Sequence, residues 1–372
     1  MADAYDRDIE PGFKVITKED GTLCLNRYTG HEEAVIVPAA LRGVPVTEIG
    51  DKCFSGNNYL TRVSLPEGVI RIGAEAFSRC FSLKEALLPK SLEEIGEGAF
   101  MESGLTRVDL PQRVEAVPPR CFRGCASLEE ARLPENLWRV EREAFYGCEK
   151  LLGVELPDGL EALETLAFAH AGLVRLELPR GLTRVGAEAF AWCARLIQVG
   201  FPEGLEALED GAFCGCIRLE MVALPATLRA LGVNPFRFCT HLTLIQVAPD
   251  NDALVTQDGA LYLRRERVLV AYPIGREESR LAFPAGLYEI GDYAFCGAES
   301  LTRLRLPEGL KRIGEGAFRF CAGLERAQVP ASVGAIGHGA FRNCQRLRCV
   351  EVRRGSFAEE QLKAMRVPCV LI

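Results

Sequence analysis

Apolar positions recur along the chain as L-x-x-V-x-L-P, then I-G, then A-F-x-x-C, with charged or small residues between them. The phrase is anchored by Phe54, Phe77, Phe100, Phe122, Phe145, Phe168, Phe190, Phe213, Phe236, Phe295, Phe318 and Phe341, at gaps of 23, 23, 22, 23, 23, 22, 23, 23, 59, 23 and 23 residues. A fixed period in this range marks a solenoid, whose units bury their apolar faces only against one another. In a typical unit Leu60, Val63 and Leu65 point inward, and the alternation around Val63 predicts a short strand paired in parallel with its counterparts. Pro66 ends that strand because proline cannot donate to the ladder. Ile72-Gly73 opens the return path, glycine easing the turn, and Ala76 and Phe77 are expected on a short helical or 3₁₀ turn.

Departures from the period define the ends and one insertion. Residues 1–12 read as a disordered leader. Residues 13–50 read as an N-terminal β-hairpin cap, with alternating apolar runs joined through Glu19-Asp20-Gly21. Residues 51–352 are the twelve-repeat solenoid. The 59-residue gap holds a β-insertion at about 250–280, with strands expected near Ala253–Val255, Ala260–Leu263 and Val268–Tyr272. Residues 353–372 form a C-terminal cap, in which Ser356-Phe357-Ala358-Glu359 has capping-box spacing and starts a helix, Phe357–Met365. The gap pattern 23-23-22 occurs twice in succession, a super-period of 68 residues that also separates Cys53 from Cys121.

The net charge of −7, with carboxylates interspersed among the arginines, argues against a nucleic-acid platform. No apolar run approaches the roughly 20 residues needed to span a bilayer, so no membrane insertion is expected. The acidic N-terminus lacks the apolar stretch of a signal peptide. As written the chain is expected in the cytoplasm; the alternative is a secreted or surface location if it was cut from a longer precursor.

Eight of the fifteen cysteines (Cys80, Cys125, Cys148, Cys193, Cys216, Cys239, Cys321, Cys344) fall three residues after a repeat phenylalanine. Stacked at the strand spacing with parallel side-chain vectors, they are poorly placed for disulfides. Asn57, Ser103, Ala171 and Ala298 take the same slot elsewhere, so small size and not sulfur chemistry is the expected requirement. Reduced thiols and a reducing compartment follow.

These L-P, I-G, A-F and C marks resemble the BspA-like (Treponema-type) leucine-rich repeats over roughly residues 35–352. Asp258-Gly259-Ala260-Leu261-Tyr262 with Tyr272-Pro273 is similar to an insertion frequent in that family. The resemblance implies a β-rich right-handed leucine-rich repeat solenoid, with a curved parallel sheet on the concave face and short strands and 3₁₀ or helical turns on the convex side. It also implies a protein-interaction or adhesion module, often on bacterial surfaces.

Candidate chemistry is sparse. His31, His170, His241 and His338 are scattered, and Cys214-Gly215-Cys216 and Cys121–Cys125 each pair one repeat cysteine with a sporadic neighbour. No glycine run forms a phosphate loop. No catalytic residue, cofactor or metal is expected, and the protein is not expected to be an enzyme. Variation is free at the exposed strand positions two and four residues beyond the first leucine of each unit. Over the first third these alternate in sign, favouring cross-strand pairing. Farther on they turn small and apolar, and Gly153, Ile197, Gln198, Met221, Ala223, Leu244 and Gln246 are the candidate partner-binding residues. The expected function is a monomeric scaffold holding a protein or peptide on the concave face. The alternatives are a bacterial surface adhesin or matrix- or carbohydrate-binding ectodomain, and the recognition subunit of a larger effector complex.

Overall fold

The computed structural model describes residues 7–10, 12–277 and 281–372. Its contacts divide the chain into two compact units, Met1–Leu182 and Thr183–Ile372. Both are parallel β-solenoids built from two kinds of ladder.

In the first unit, the longer strands Ala34–Ile36, Arg62–Ser64 and Glu85–Leu87 pair in parallel, and so do Arg107–Asp109 and Glu130–Arg132. Their middle residue is buried and their flanking residues face outward, which is the alternation a half-buried strand requires. The I-G segments form the second ladder of two-residue strands, Arg71–Ile72 with Glu94–Ile95, and Ala116–Val117 with Arg139–Val140 and Ala162–Leu163. Opposite charges face each other across the longer strands, as in Arg62–Glu85 at 2.7 Å and Arg107–Glu130 at 3.3 Å.

The phenylalanine segments alternate two kinds of bond. Ala76, Ser78 and Cys80 donate N–H to the residue three earlier, whereas Glu75, Phe77 and Arg79 donate to Glu97, Ala99 and Met101 of the next repeat at 2.7–2.9 Å. This alternation demands left-handed backbone two residues either side of each repeat phenylalanine of the first unit: Glu75 and Arg79 have φ of 52° and 57°. The phenylalanine rings stack at 4.9–5.5 Å from Phe54 to Phe168, tilted by only 4–18°. The column ends on Tyr28, 4.9 Å from Phe54, with Phe13 a further 5.0 Å away.

Those two rings come from the antiparallel hairpin Phe13–Thr17 and Leu23–Tyr28. Leu23–Tyr28 then pairs in parallel with Val44–Ile49, which passes the sheet to Arg71–Ile72. Residues 7–10 correct the expected leader: Arg7–Glu10 is a strand, paired antiparallel with the open edge of Phe13–Thr17. The remainder of the leader before it lies outside the described residues.

In the second unit the rings continue the motif from Phe190 to Phe213 and Phe236, and again through Phe295, Phe318 and Phe341. Tyr272 stacks 5.0 Å from Phe295 and donates its N–H to Ala294, so it fills a ring position within the 59-residue gap. Its spacing of 23 residues before Phe295 was the available signal, hidden by the change of residue type. The insertion is the antiparallel meander Leu254–Gln257, Ala260–Leu263 and Val268–Ala271, and its last strand rejoins the two-residue ladder at Glu289–Ile290. The helix Phe357–Ala364 is capped by the Ser356 hydroxyl, which accepts from Glu359 N–H at 3.3 Å, while the Glu359 carboxylate accepts from Gly355 N–H at 2.7 Å.

Candidate functional site

All fifteen cysteines are free thiols. Their slot is more specific than size alone: the sulfurs of Cys80, Cys125, Cys148, Cys216, Cys239, Cys321 and Cys344 donate to the carbonyl of the preceding repeat's phenylalanine at 3.0–3.3 Å. Ala171 and Ala298 show that this bond is dispensable. Burial pushes the Cys80 and Cys125 thiols up to about 11, and raises those of Cys148 and Cys216 well above the ordinary thiol value. A thiol raised in the fold keeps its proton more tightly there than when unfolded. The stabilisation is therefore complete below the ordinary value of 9 and is lost as the pH rises towards 11. Urea unfolding midpoints are expected to be level from pH 7 to 8.5 and to fall steeply between pH 9 and 11. Denaturing titration is expected to find fifteen reactive thiols, with only Cys344, Cys349 and Cys369, the three partly exposed ones, reacting quickly in the native protein.

Met221 and Leu244 lie directly opposite each other on the parallel strands Met221–Leu224 and Leu244–Val247, and Ala223 faces Gln246 in the same register. The inward partners Val222 and Ile245 are buried, which turns Met221 and Leu244 outward at 46% and 37% exposure. Gln198 and Gly200 occupy the corresponding face of the strand Gln198–Gly200, with Ile197 half-buried just before it. Gly153 is not part of this group. It belongs to the first unit, and residues 151–157 form no strand there, because an exposed glycine brings neither side-chain packing nor backbone restraint to the ladder.

The apolar pair runs into a groove of about 560 Å³ lined by Phe201, Ala223, Pro225, Gln246, Pro249 and Thr256. Thr256 comes from the first strand of the insertion, so the inserted meander supplies one wall of the groove. Its root is set by buried Asn251, whose amide donates to the carbonyls of Pro225 and Leu228 at 2.9 Å and whose oxygen accepts from Ala253 and Leu254 N–H at 2.9 and 2.7 Å. Exposed Arg229 adds an ion pair to Asp252 at 2.6 Å. The lining is apolar and amide-bearing, with Glu203 as its carboxylate. Such a surface can hold an extended chain or a small apolar side chain. Among the described residues no three His, Cys, Asp or Glu side chains converge as metal ligands would, and no helix is long and apolar enough to cross a membrane.

One exposed feature escaped the sequence reading. Trp192, Phe238 and Phe320 each stand two residues after a ring of the column, in left-handed backbone at φ of 61°, 62° and 62°. Trp192 lies against Gly215 and stacks 6.0 Å from Phe238, which in turn is 6.1 Å from Phe320. Bulky residues seldom accept this conformation, so nothing in the sequence flagged the position as a shared turn site.

The BspA type leucine rich repeat profile matches residues 47–174, 164–256 and 277–365. Among solved structures, a leucine-rich cell surface protein from Faecalibacterium prausnitzii is 26% identical, with 95% of this chain and 96% of that one covered at a TM-score of 0.54. A leucine-rich repeat protein from Bacteroides ovatus is 23% identical over 99% and 100% of the two chains, at a TM-score of 0.60, and supports the fold alone. No curated protein matches this chain. The repeat marks, the paired ladders and the profile spanning most of the sequence agree, and the chain belongs to the BspA-type leucine-rich repeat family.

Proposed function

We propose that this chain is a non-catalytic recognition scaffold that holds a protein or peptide partner on the outward face of its longer strands, at Met221, Leu244 and the adjoining groove. The observation that carries this reading is the side-by-side exposure of two large apolar side chains on paired strands. At that position the first unit instead carries charges that neutralise one another, such as Arg62 and Glu85. An exposed apolar pair bordered by a groove is where desolvation can supply binding energy. Partner capture by the wild-type chain should be lost in the Met221→Glu/Leu244→Glu variant, with its unfolding midpoint within about 0.5 kcal/mol of wild type, as for ordinary surface changes. Unchanged capture by a folded variant would refute the site.

A second reading places this scaffold on a bacterial surface, and the relative from Faecalibacterium prausnitzii described as a cell surface protein favours it. Twelve of the fifteen thiols are buried. Free cysteines therefore fit a surface location as well as a reducing compartment.

A further inference from the structure

Charge is unevenly distributed along the chain. Residues 301–372 carry 13 Lys and Arg against 6 Asp and Glu, a net of +7, although the whole chain is −7. Eleven of those thirteen are arginine. Some of this charge is neutralised locally: Arg312 pairs with Glu289 at 2.6 Å, and Lys363 with Glu359 at 2.6 Å.

The strands Arg303–Arg305 and Arg326–Val329 are different. They pair in parallel with Arg303 opposite Arg326 and Arg305 opposite Gln328. All three arginines are exposed, and none has an ion-pair partner among the described residues. Like charges directly opposite on neighbouring strands repel and destabilise a sheet. At the equivalent positions of the first unit this is avoided, since Arg107 meets Glu130 at 3.3 Å and Arg132 meets Glu130 at 2.8 Å. On the same outward face, half-buried Glu351 lies one strand beyond Gln328.

We propose that Arg303, Arg305 and Arg326 form a docking surface for an extended acidic segment of a partner protein, with carboxylates at alternate residues. Alternate residues of an extended chain repeat every 6.6–6.8 Å, roughly the separation of Arg303 from Arg305 along their own strand. Arg326, about 4.8 Å across the ladder, widens the cradle for the same carboxylates. Guanidinium groups bind carboxylates through paired N–H donors, which lysines do not reproduce. A long polyanion fits less well, because residues 183–300 of the same unit carry 10 basic and 15 acidic side chains and would repel it. This is a second surface on different strands from Met221 and Leu244, and it stands whether or not that site binds.

The test is fluorescence anisotropy of the full chain with a labelled ten-residue peptide of alternating Glu and Thr, against the same peptide with Gln for Glu. Three exposed charge pairs at about two- to fivefold each give an expected weakening of roughly tenfold or more in the Arg303→Gln/Arg305→Gln/Arg326→Gln variant. Wild-type affinity should fall as salt is raised, and the Gln peptide should bind no better than background. The variant should unfold at the wild-type midpoint or slightly above it, since a repulsion is removed. Equal binding of the Glu peptide by both proteins would overturn the proposal. So would failure of the peptide to bind wild type at low salt, or tighter arginine-dependent binding of a 20-nucleotide single strand or of anionic lipid vesicles.

Discussion

Phe100→Ala is expected to destabilise the first unit by about 3–5 kcal/mol, the range for deleting a fully buried ring. Phe100 has no solvent exposure and is stacked 5.2 Å from Phe77 and 5.5 Å from Phe122. Its backbone N–H and carbonyl also tie adjacent repeats, donating to Cys121 and accepting from the Cys125 thiol. Removing the ring leaves those backbone bonds in place, so the loss comes from dispersion and burial across two interfaces at once. In a solenoid each repeat is stabilised by its neighbours, and a cavity at one interface weakens both. Urea unfolding followed by circular dichroism measures the effect. A loss below about 1 kcal/mol would mean that the ring column does not organise the unit.

Asn251→Ala is expected to cost about 3–4 kcal/mol, because each orphaned buried polar group costs roughly 1–3 kcal/mol. The substitution leaves the carbonyls of Pro225 and Leu228 and the N–H groups of Ala253 and Leu254 without the four bonds of 2.7–2.9 Å that Asn251 provides. Only 2% of Asn251 is exposed, so water does not readily replace the side chain. Asn251→Asp separates the two halves of the network: it keeps both acceptor bonds and loses both donor bonds. Native-state hydrogen exchange is the sharper readout. Amides of Leu254–Gln257 should exchange much faster in Asn251→Ala, while those of the first unit keep wild-type protection. Uniform loss of protection across the chain would show that Asn251 supports more than the insertion's root.

The repeat phenylalanines were legible because burial of a large ring at a fixed spacing leaves no freedom of residue type. The strand faces were legible for the same reason: outward Arg62 and Ser64 flank buried Val63, as alternation predicts. Tyr272 was harder to see, since a tyrosine ring fills the column as well as phenylalanine and breaks only the letter pattern. The left-handed sites were hidden because backbone bonds to the next repeat impose them on whatever side chain is present, Leu166 and Trp192 included. The chain passes unusually close to the preceding repeat at Gly104 and Gly172 in the two shortened repeats, as it also does at Gly323 in a repeat of full length. At the first two an added Cβ would be driven into the carbonyl oxygens of Phe81 and Glu149, so only glycine lets the chain pass that closely. At the candidate site, Met221 and Leu244 could be placed together because they hold the same position in successive repeats. The groove wall at Thr256 could not, since it depends on how Asn251 seats a segment outside the period. Carboxylates do lie among the arginines throughout, but the net charge of the whole chain conceals the +7 of residues 301–372.

If the repeated letters specify stacking while recognition resides on the outward strand face of the second unit, the two properties should respond to different substitutions. The decisive experiment measures partner capture and unfolding midpoint together in wild type, Phe100→Ala and Met221→Glu/Leu244→Glu. A crossed result is expected: Phe100→Ala unfolds at much lower urea yet captures its partner while folded, and Met221→Glu/Leu244→Glu keeps its midpoint and loses the partner held at those two side chains. Capture that tracks stability across all three proteins, or undiminished capture of that same partner by Met221→Glu/Leu244→Glu, would be the opposite result.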